Sequence, residues 1–125
     1  MEPKNQILIA VDDMFFAARI RSTAEGLGLP ISIVKTSPDL IQKAESLLPS
    51  LIIVDLNSER LDPIESIRQL KSRPDLKSLP VIGFLSHVQI DLKNQAEQAG
   101  CDSILPRSAF TQRLPEILQQ ASRTS

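Results

Sequence analysis

At 125 residues the chain has room for one domain built around one hydrophobic core. Its 42% hydrophobic and 23% charged residues are ordinary for a globular protein, and its net charge of −1 gives no electrostatic reason to expect nucleic acid or an anionic membrane as a partner. The single cysteine excludes an internal disulfide and a cysteine-rich zinc site, which suits a reducing cytoplasm. Residues 1–6 show no signal peptide, and no apolar run is long enough to span a bilayer.

Short apolar runs rich in Ile and Val alternate with longer segments of helical periodicity along the whole chain. Runs that are apolar at every position, such as Leu51–Val54, are typical of parallel strands that are covered on both faces. The predicted strands are Ile7–Val11, Ile31–Val34, Leu51–Val54, Val81–Phe84 and Ser103–Leu105. The pattern predicts a single α/β domain over residues 1–125, with a flavodoxin-like (βα)5 fold in which helices cover both faces of a doubly wound, five-stranded parallel sheet.

Five helical patterns separate and follow these strands. They cover Met14–Leu27, a segment from the N-cap Ser37, a segment from Asp62, Gln89–Ala99 and a segment after Ser108. Gly28 and Gly100 are placed to end the first and fourth helices. Asp62 and Glu65 have the spacing of a capping box at the start of the third helix. Pro115 lies inside the last pattern, which predicts that this helix starts later or kinks there.

Three carboxylates follow two of the predicted strands. Asp12 and Asp13 end the first strand, and Asp55 ends the third. Because the carboxyl ends of parallel strands meet at one edge of a sheet, we expect these side chains to lie close together. Carboxylates that close repel one another unless a cation lies among them, and Mg²⁺ prefers such oxygen ligands. The alternative is three unrelated surface carboxylates that cap helices, with Asp13 as the N-cap of the first helix.

The same edge receives further polar residues. Ser86 follows the fourth strand, and Arg107 follows the fifth. Together with the acids they form a phosphoryl-transfer set, in which the acids bind Mg²⁺, one carboxylate is the nucleophile, and the hydroxyl and the cation stabilise the phosphoryl oxygens. The alternatives are that Ser86 is an ordinary loop hydroxyl and that Arg107 is a surface residue near a helix start.

His87 is interpreted as a solvated loop residue and Cys101 as a small buried hydrophobe. A solvated helix face is the interpretation of four charges: Glu59, Arg60, Arg68 and Lys71.

The order of Val11-Asp12-Asp13, Val54-Asp55, Leu85-Ser86 and the segment 99–107 resembles the receiver domain of two-component response regulators, over essentially the whole chain. The resemblance implies that Asp55 is the phosphoacceptor and takes a phosphoryl group from a histidine kinase or a phosphotransfer protein. It implies that Asp12 and Asp13 bind Mg²⁺, aided by Asp55 and by the backbone carbonyl of Asn57. It also implies that Ser86 moves toward the phosphoryl group and relays the change to the face formed by the fourth helix, the fifth strand and the fifth helix.

Several positions depart from the family's pattern. The pair Arg107-Ser108 stands where the family has Lys followed by a cis Pro, and Arg is larger, forked and always charged. Arg107 could reach a phosphoryl oxygen, or it could pair permanently with Asp55 and mimic an engaged state. His87 replaces the small residue usual after the hydroxyl position, where it would crowd the site or form a hydrogen bond near it. Ile104 replaces a common aromatic residue, and the polar loop 57–60 replaces the usual Met-Pro turn.

Three classes of function follow from these residues. We expect a stand-alone, cytoplasmic receiver with Mg²⁺ as its cofactor, not an enzyme beyond self-phosphotransfer and autodephosphorylation, which signals by docking a downstream protein or by forming a homodimer through the face named above. The second class is a pseudo-receiver, a protein-interaction module that does not depend on phosphorylation. The third is a small phosphohydrolase with an aspartyl nucleophile, against which Asn57 stands where such enzymes typically have a second Asp.

Overall fold

The structure is a computed structural model that describes residues 6–123. Its elements are β1 (Ile7–Ala10), α1 (Met14–Leu27), β2 (Ile31–Val34), α2 (Ser37–Leu47), β3 (Leu51–Asp55), α3 (Pro63–Ser72), β4 (Val81–Leu85), α4 (Ile90–Ala99), β5 (Ser103–Pro106) and α5 (Arg107–Arg123). The predicted alternation of strands and helices is confirmed, and each strand ends within one residue of its predicted end. Residues 1–5, which belong to the segment without a predicted signal peptide, lie outside the described residues.

The strands form one parallel sheet in the order β2-β1-β3-β4-β5, with helices on both faces. Every residue of β1 and β3 is buried, as their continuous apolar sequences predict. The core side chains Ile20 and Phe110 lie on the face covered by α1 and α5, whereas Leu40, Ile67 and Ala96 lie on the face covered by α2, α3 and α4. Because the strand order reverses between β1 and β3, their carboxyl ends flank the crevice in which doubly wound sheets place functional residues.

The helix ends confirm some of the predicted caps and correct others. Gly28 and Gly100 end α1 and α4 in the left-handed conformation, with φ of 69° and 110°. The predicted capping box of α3 is wrong, because Asp62 has φ 42° and ψ 61° and its side chain makes no cap hydrogen bond. A side-chain cap needs the extended backbone that Asp62 does not adopt. The cap of α2 is Thr36 and not the predicted Ser37, which is already helical.

The last helix starts before its predicted position. α5 begins at Arg107, although the sequence places its start after Ser108, and it continues through Pro115. Pro115 removes one helical hydrogen bond but is exposed, while its neighbours Leu114 and Ile117 are buried against the core and support the helix. Arg107 is therefore fixed at the junction of β5 and α5. Among the described residues, no helix has the length and apolar character needed to cross a membrane.

Candidate functional site

The three predicted carboxylates line one cavity at the carboxyl edge of the sheet. β1 and β3 pair in parallel with Ala10 opposite Val54, so the residues that follow both strands leave the sheet side by side. The cavity has a volume of about 380 Å³. Its lining residues are Asp12, Asp13, Asp55, Asn57, Ser58, Glu59 and Arg60. The structure thus brings the carboxylates together, as the topology of the predicted sheet requires.

Asp13 belongs both to this cavity and to the start of α1. Its Oδ1 accepts hydrogen bonds from the backbone N–H groups of Phe15 at 2.9 Å and Phe16 at 3.1 Å, which makes Asp13 the N-cap of the helix. Its Oδ2 lies 3.7 Å from Nη2 of Arg107. One oxygen therefore caps the helix while the other faces a cation, so the capping and the site interpretations of this residue are compatible.

Asp55 is the most enclosed of the three carboxylates, with 6% of its surface exposed. Its Oδ1 accepts a hydrogen bond from the backbone N–H of Asn57 at 2.9 Å, and its Oδ2 lies 4.0 Å from Nη2 of Arg107. Burial raises the pKa of Asp55 above its ordinary value, and the charges of Asp13 and Asp12 add to the increase. The N–H of Asn57 and the guanidinium of Arg107 act in the opposite direction on the pKa. The ionised form of Asp55 thus depends on these two partners.

Arg107 is held in place by aromatic rings. The central carbon of its guanidinium lies 4.4 Å from the ring centroid of Phe16 and 5.6 Å from that of Phe84. Phe110 extends the stack, with its centroid 4.9 Å from that of Phe84. A cation over an aromatic face is attracted by the ring quadrupole, so the rings position the guanidinium beside Asp55. The structure thereby decides a point that the sequence leaves open, since Arg107 points toward Asp55.

Three charges were interpreted wrongly from the sequence as parts of a solvated helix face, and the first is Glu59, which precedes α3 and lines the acidic cavity. Arg60 precedes α3, and its Nη1 donates a hydrogen bond to Oδ1 of Asp12 at 3.1 Å. Lys71 is mostly buried, and its ammonium donates to the carbonyl of Leu79 at 2.9 Å and to Oδ2 of Asp102 at 2.8 Å. The sequence contained a signal that Arg60 is not on the helix, because the Asp-Pro pair at 62–63 places the start of α3 after Arg60.

The side chain of Asn57 joins the loop after Asp55 to the loop after β4. Its Oδ1 accepts the backbone N–H of Ser86 at 2.7 Å, and its Nδ2 donates to Oε1 of Gln89 at 2.9 Å. Ser86 is exposed and is not among the described residues that line the acidic cavity. His87 is also exposed, as interpreted from the sequence, and its ring is turned to the adjacent backbone. The family resemblance implies only a backbone role for Asn57, so the bridge made by its side chain was not predicted.

The oxygen donors of the cavity suit Mg²⁺. Within residues 6–123, no three His, Cys, Asp or Glu side chains converge closely enough to hold a metal ion by themselves. Mg²⁺ does not need such a cage, because it keeps several waters and takes only one or two carboxylates from the protein. Asp12, Asp13 and Asp55 on one open cavity, with Asn57 beside them, meet that requirement. The donor set fits a partly hydrated Mg²⁺ and does not fit a fully enclosed metal.

Comparisons with known proteins agree with this geometry. Residues 7–119 match the response regulator receiver domain family. The transcriptional activator protein ExaE from Pseudomonas putida is 29% identical over 119 residues, which cover 93% of this chain and 53% of that protein. The chemotaxis response regulator CheY4 of Vibrio cholerae superposes with a TM-score of 0.82 at 16% identity, covering 95% of this chain and 99% of CheY4. The receiver domain of sensor histidine kinase PA1611 from Pseudomonas aeruginosa, which has a magnesium ion coordinated in its active site cleft, superposes with a TM-score of 0.83 at 20% identity, covering 97% and 99% of the two chains.

The chain belongs to the response regulator receiver domain family, and its fold is the flavodoxin-like fold of CheY-type receivers. Receiver domains work in two-component phosphorelays, bind Mg²⁺ in the active site and interact with histidine kinases and downstream effectors. The chain spans about half the length of ExaE.

Proposed function

We propose that this chain is a phosphorylation-controlled receiver in which Asp55 accepts a phosphoryl group from a histidine kinase or a phosphotransfer protein. One observation carries the proposal. Asp55 is a buried carboxylate at the end of β3, with one oxygen fixed by a backbone N–H and the other 4.0 Å from a cation, in a cavity that it shares with Asp12 and Asp13. Such a carboxylate is positioned to act as a nucleophile on a group that enters the cavity.

In the transfer, a carboxylate oxygen of Asp55 forms a bond to phosphorus while the bond from phosphorus to the imidazole nitrogen of the donor breaks. The electron pair of that bond leaves with the nitrogen, which takes a proton from solvent. In the unmodified structure Nη2 of Arg107 faces Asp13 and Asp55. After the transfer, this nitrogen is the donor available to an oxygen of the aspartyl phosphate. The chain is not a phosphohydrolase in this proposal, and its chemistry ends with self-phosphotransfer and autodephosphorylation.

We assign the binding of Mg²⁺ to Asp12, Asp13, Asp55 and the backbone carbonyl of Asn57. When bound, the ion supplies positive charge that offsets the negative charges of the phosphoryl oxygens and of the carboxylates. Two features support the assignment: the oxygen donors share one cavity, and the magnesium-binding receiver of PA1611 has the same fold. The single, buried Cys101 suits the reducing cytoplasm in which we propose that the exchange takes place.

Exposed apolar side chains flank the site and are the surfaces that we propose for its protein partners. Phe15 is 91% exposed and Met14 is 72% exposed, and both directly follow Asp13 at the start of α1. On the other side, Val88 and Ile90 are exposed near the start of α4, next to the face that the family resemblance assigns to a downstream partner or a second copy of the chain. Large apolar groups left in solvent at these positions favour protein–protein contacts.

The test is intact-protein mass spectrometry after incubation with acetyl phosphate, with and without Mg²⁺. We expect one Mg²⁺-dependent phosphoryl adduct on the wild type and none on Asp55→Asn. The matched control is Asp39→Asn, which changes an exposed carboxylate in the first turn of α2 and should keep the adduct. Absence of the adduct from a wild type that is folded by circular dichroism would contradict the proposal.

A second candidate, the pseudo-receiver, is favoured by one specific observation. Each of the three carboxylates has a guanidinium nitrogen within 4.0 Å, from Arg60 for Asp12 and from Arg107 for Asp13 and Asp55. The two guanidinium groups therefore offset two of the three negative charges without a metal ion, and Arg107 lies beside Asp55 as in a permanently engaged state. An unfolding midpoint that does not change when beryllofluoride and Mg²⁺ are added would favour this candidate, and a rise in the midpoint would refute it.

A further inference from the structure

The two guanidinium groups at the acidic cavity are held very differently. Arg107 lies over Phe16 and Phe84, and its Nη2 is shared between two carboxylates. Arg60 contacts no aromatic ring of residues 6–123, and its side chain is 61% exposed. Its Nη1 donates a hydrogen bond of 3.1 Å to Oδ1 of Asp12. Arg60 is thus the cation that can leave the cavity without disturbing the core.

The partner of Arg60 is one of the carboxylates that we assign to Mg²⁺. One oxygen of Asp12 cannot accept a full hydrogen bond from a guanidinium and coordinate a metal ion at the same time. Each interaction requires a short distance and its own direction of approach to that oxygen. A guanidinium that stayed beside a bound divalent cation would also repel it. Arg60 lines the same cavity as Asp12, so either effect acts where the ion would enter.

We propose that Arg60 is a built-in competitor of Mg²⁺, which occupies Asp12 until the ion displaces it and so sets the Mg²⁺ affinity of the site. The inference rests on the proposed function only in its assignment of Mg²⁺ to this cavity. Exchange of one cation for another keeps Asp12 paired in both states. Arg60 is therefore a residue that determines affinity, and its effect is measured in the dissociation constant of Mg²⁺ without a phosphoryl donor.

The test is isothermal titration calorimetry, which measures the Mg²⁺ affinity of the wild type, Arg60→Gln and Arg68→Gln at low ionic strength without a phosphoryl donor. Arg68 is the matched control, because its exposed side chain pairs with Glu65 on α3 and its loss changes the net charge equally. We expect Arg60→Gln to bind Mg²⁺ about fivefold to tenfold more tightly, which corresponds to removal of one nearby, partly screened charge, and Arg68→Gln to change the affinity less than about twofold. The gain of Arg60→Gln should shrink at high salt.

Several outcomes would overturn the inference. Equal affinities for Arg60→Gln and the wild type would do so, as would weaker binding by the variant or an equal gain in Arg68→Gln, which would show an effect of net charge. Failure of both the wild type and Arg60→Gln to bind Mg²⁺ would also refute it, whereas binding by the variant alone would support it. The proposed function fails separately: Asp55 could remain unmodified by acetyl phosphate while Arg60→Gln still gains Mg²⁺ affinity.

Discussion

The contact between Arg107 and Asp55 is expected to couple the two residues in a double-mutant cycle. Two unit charges at the observed 4.0 Å separation attract by about 4 kcal/mol at an effective dielectric constant of about 20 and by about 1 kcal/mol in water. The side chain of Arg107 is 34% exposed and that of Asp55 is 9% exposed, so the screening lies between these limits. We therefore expect a coupling free energy of about 2 kcal/mol at pH 8.

The cycle uses Arg107→Met, Asp55→Asn and the double variant, with urea unfolding followed by far-ultraviolet circular dichroism. Urea is uncharged and leaves the ion pair unscreened, and EDTA removes divalent cations. The control cycle is Arg68→Met with Glu65→Gln, an exposed pair on α3, for which we expect at most about 0.5 kcal/mol. Because Asp55 becomes neutral below its raised pKa, the coupling should decrease as the pH falls through that pKa.

Two results would refute this reasoning. A coupling at pH 8 no larger than that of the surface pair would mean that the guanidinium contributes nothing to the ionised form of Asp55. A coupling that is large but independent of pH would mean that the two residues interact through packing, because a purely steric contact does not depend on the protonation of a carboxyl group.

Three further predictions concern stability and reactivity. Between pH 3.8 and the raised pKa of Asp55, the folded protein binds more protons than the unfolded chain, so the contribution of Asp55 to stability falls as the pH rises through this range. Asp55→Asn should be more stable than the wild type by about 1 kcal/mol at pH 8, with the difference vanishing toward low pH in urea unfolding. Gly100→Ala should lose about 1–2 kcal/mol of stability, because φ is 110° and the new Cβ would lie 2.7 Å from Cγ of Lys71. Gly26→Ala should gain about 0.5–1 kcal/mol in the same assay, because Gly26 lies within α1 and a Cβ there would meet nothing within 4 Å beyond its chain neighbours and the backbone of its own helix. Cys101 is buried and its pKa is raised to about 11, so iodoacetamide at pH 8 should modify it in urea and not in the folded protein, as mass spectrometry would show.

The sheet and the position of the acidic site could be predicted because they depend on features that recur along the chain. Runs of Ile and Val without polar interruption specify buried parallel strands, and the common direction of those strands brings Asp12, Asp13 and Asp55 to one edge. Gly28 and Gly100 were predictable as helix ends because each adopts a positive φ, which most other residues avoid.

The contacts made by the loop after β3 could not be predicted in the same way. Its backbone path places Asp62 in the left-handed region, which removes the expected capping box, and places Arg60 at the cavity. The path depends on the burial of Leu56 and Leu61 in the core, a tertiary effect that local residue spacing does not contain. Likewise, the helical pattern of α1 identifies Phe16 as a core residue, but not the guanidinium of Arg107 above its ring.

The phenylalanine stack beneath Arg107 gives the protein a built-in optical probe. The chain has four Phe, no Tyr, no Trp and a single Cys, so its near-ultraviolet circular dichroism arises from phenylalanine alone. Three of these rings, Phe16, Phe84 and Phe110, pack together next to the site, and the fourth, Phe15, lies in solvent where free rotation averages its signal. Any displacement of Arg107 from the rings, by a metal ion, a phosphoryl group or a partner, therefore changes the chirality around the chromophores that dominate the spectrum, and the event can be followed without a label.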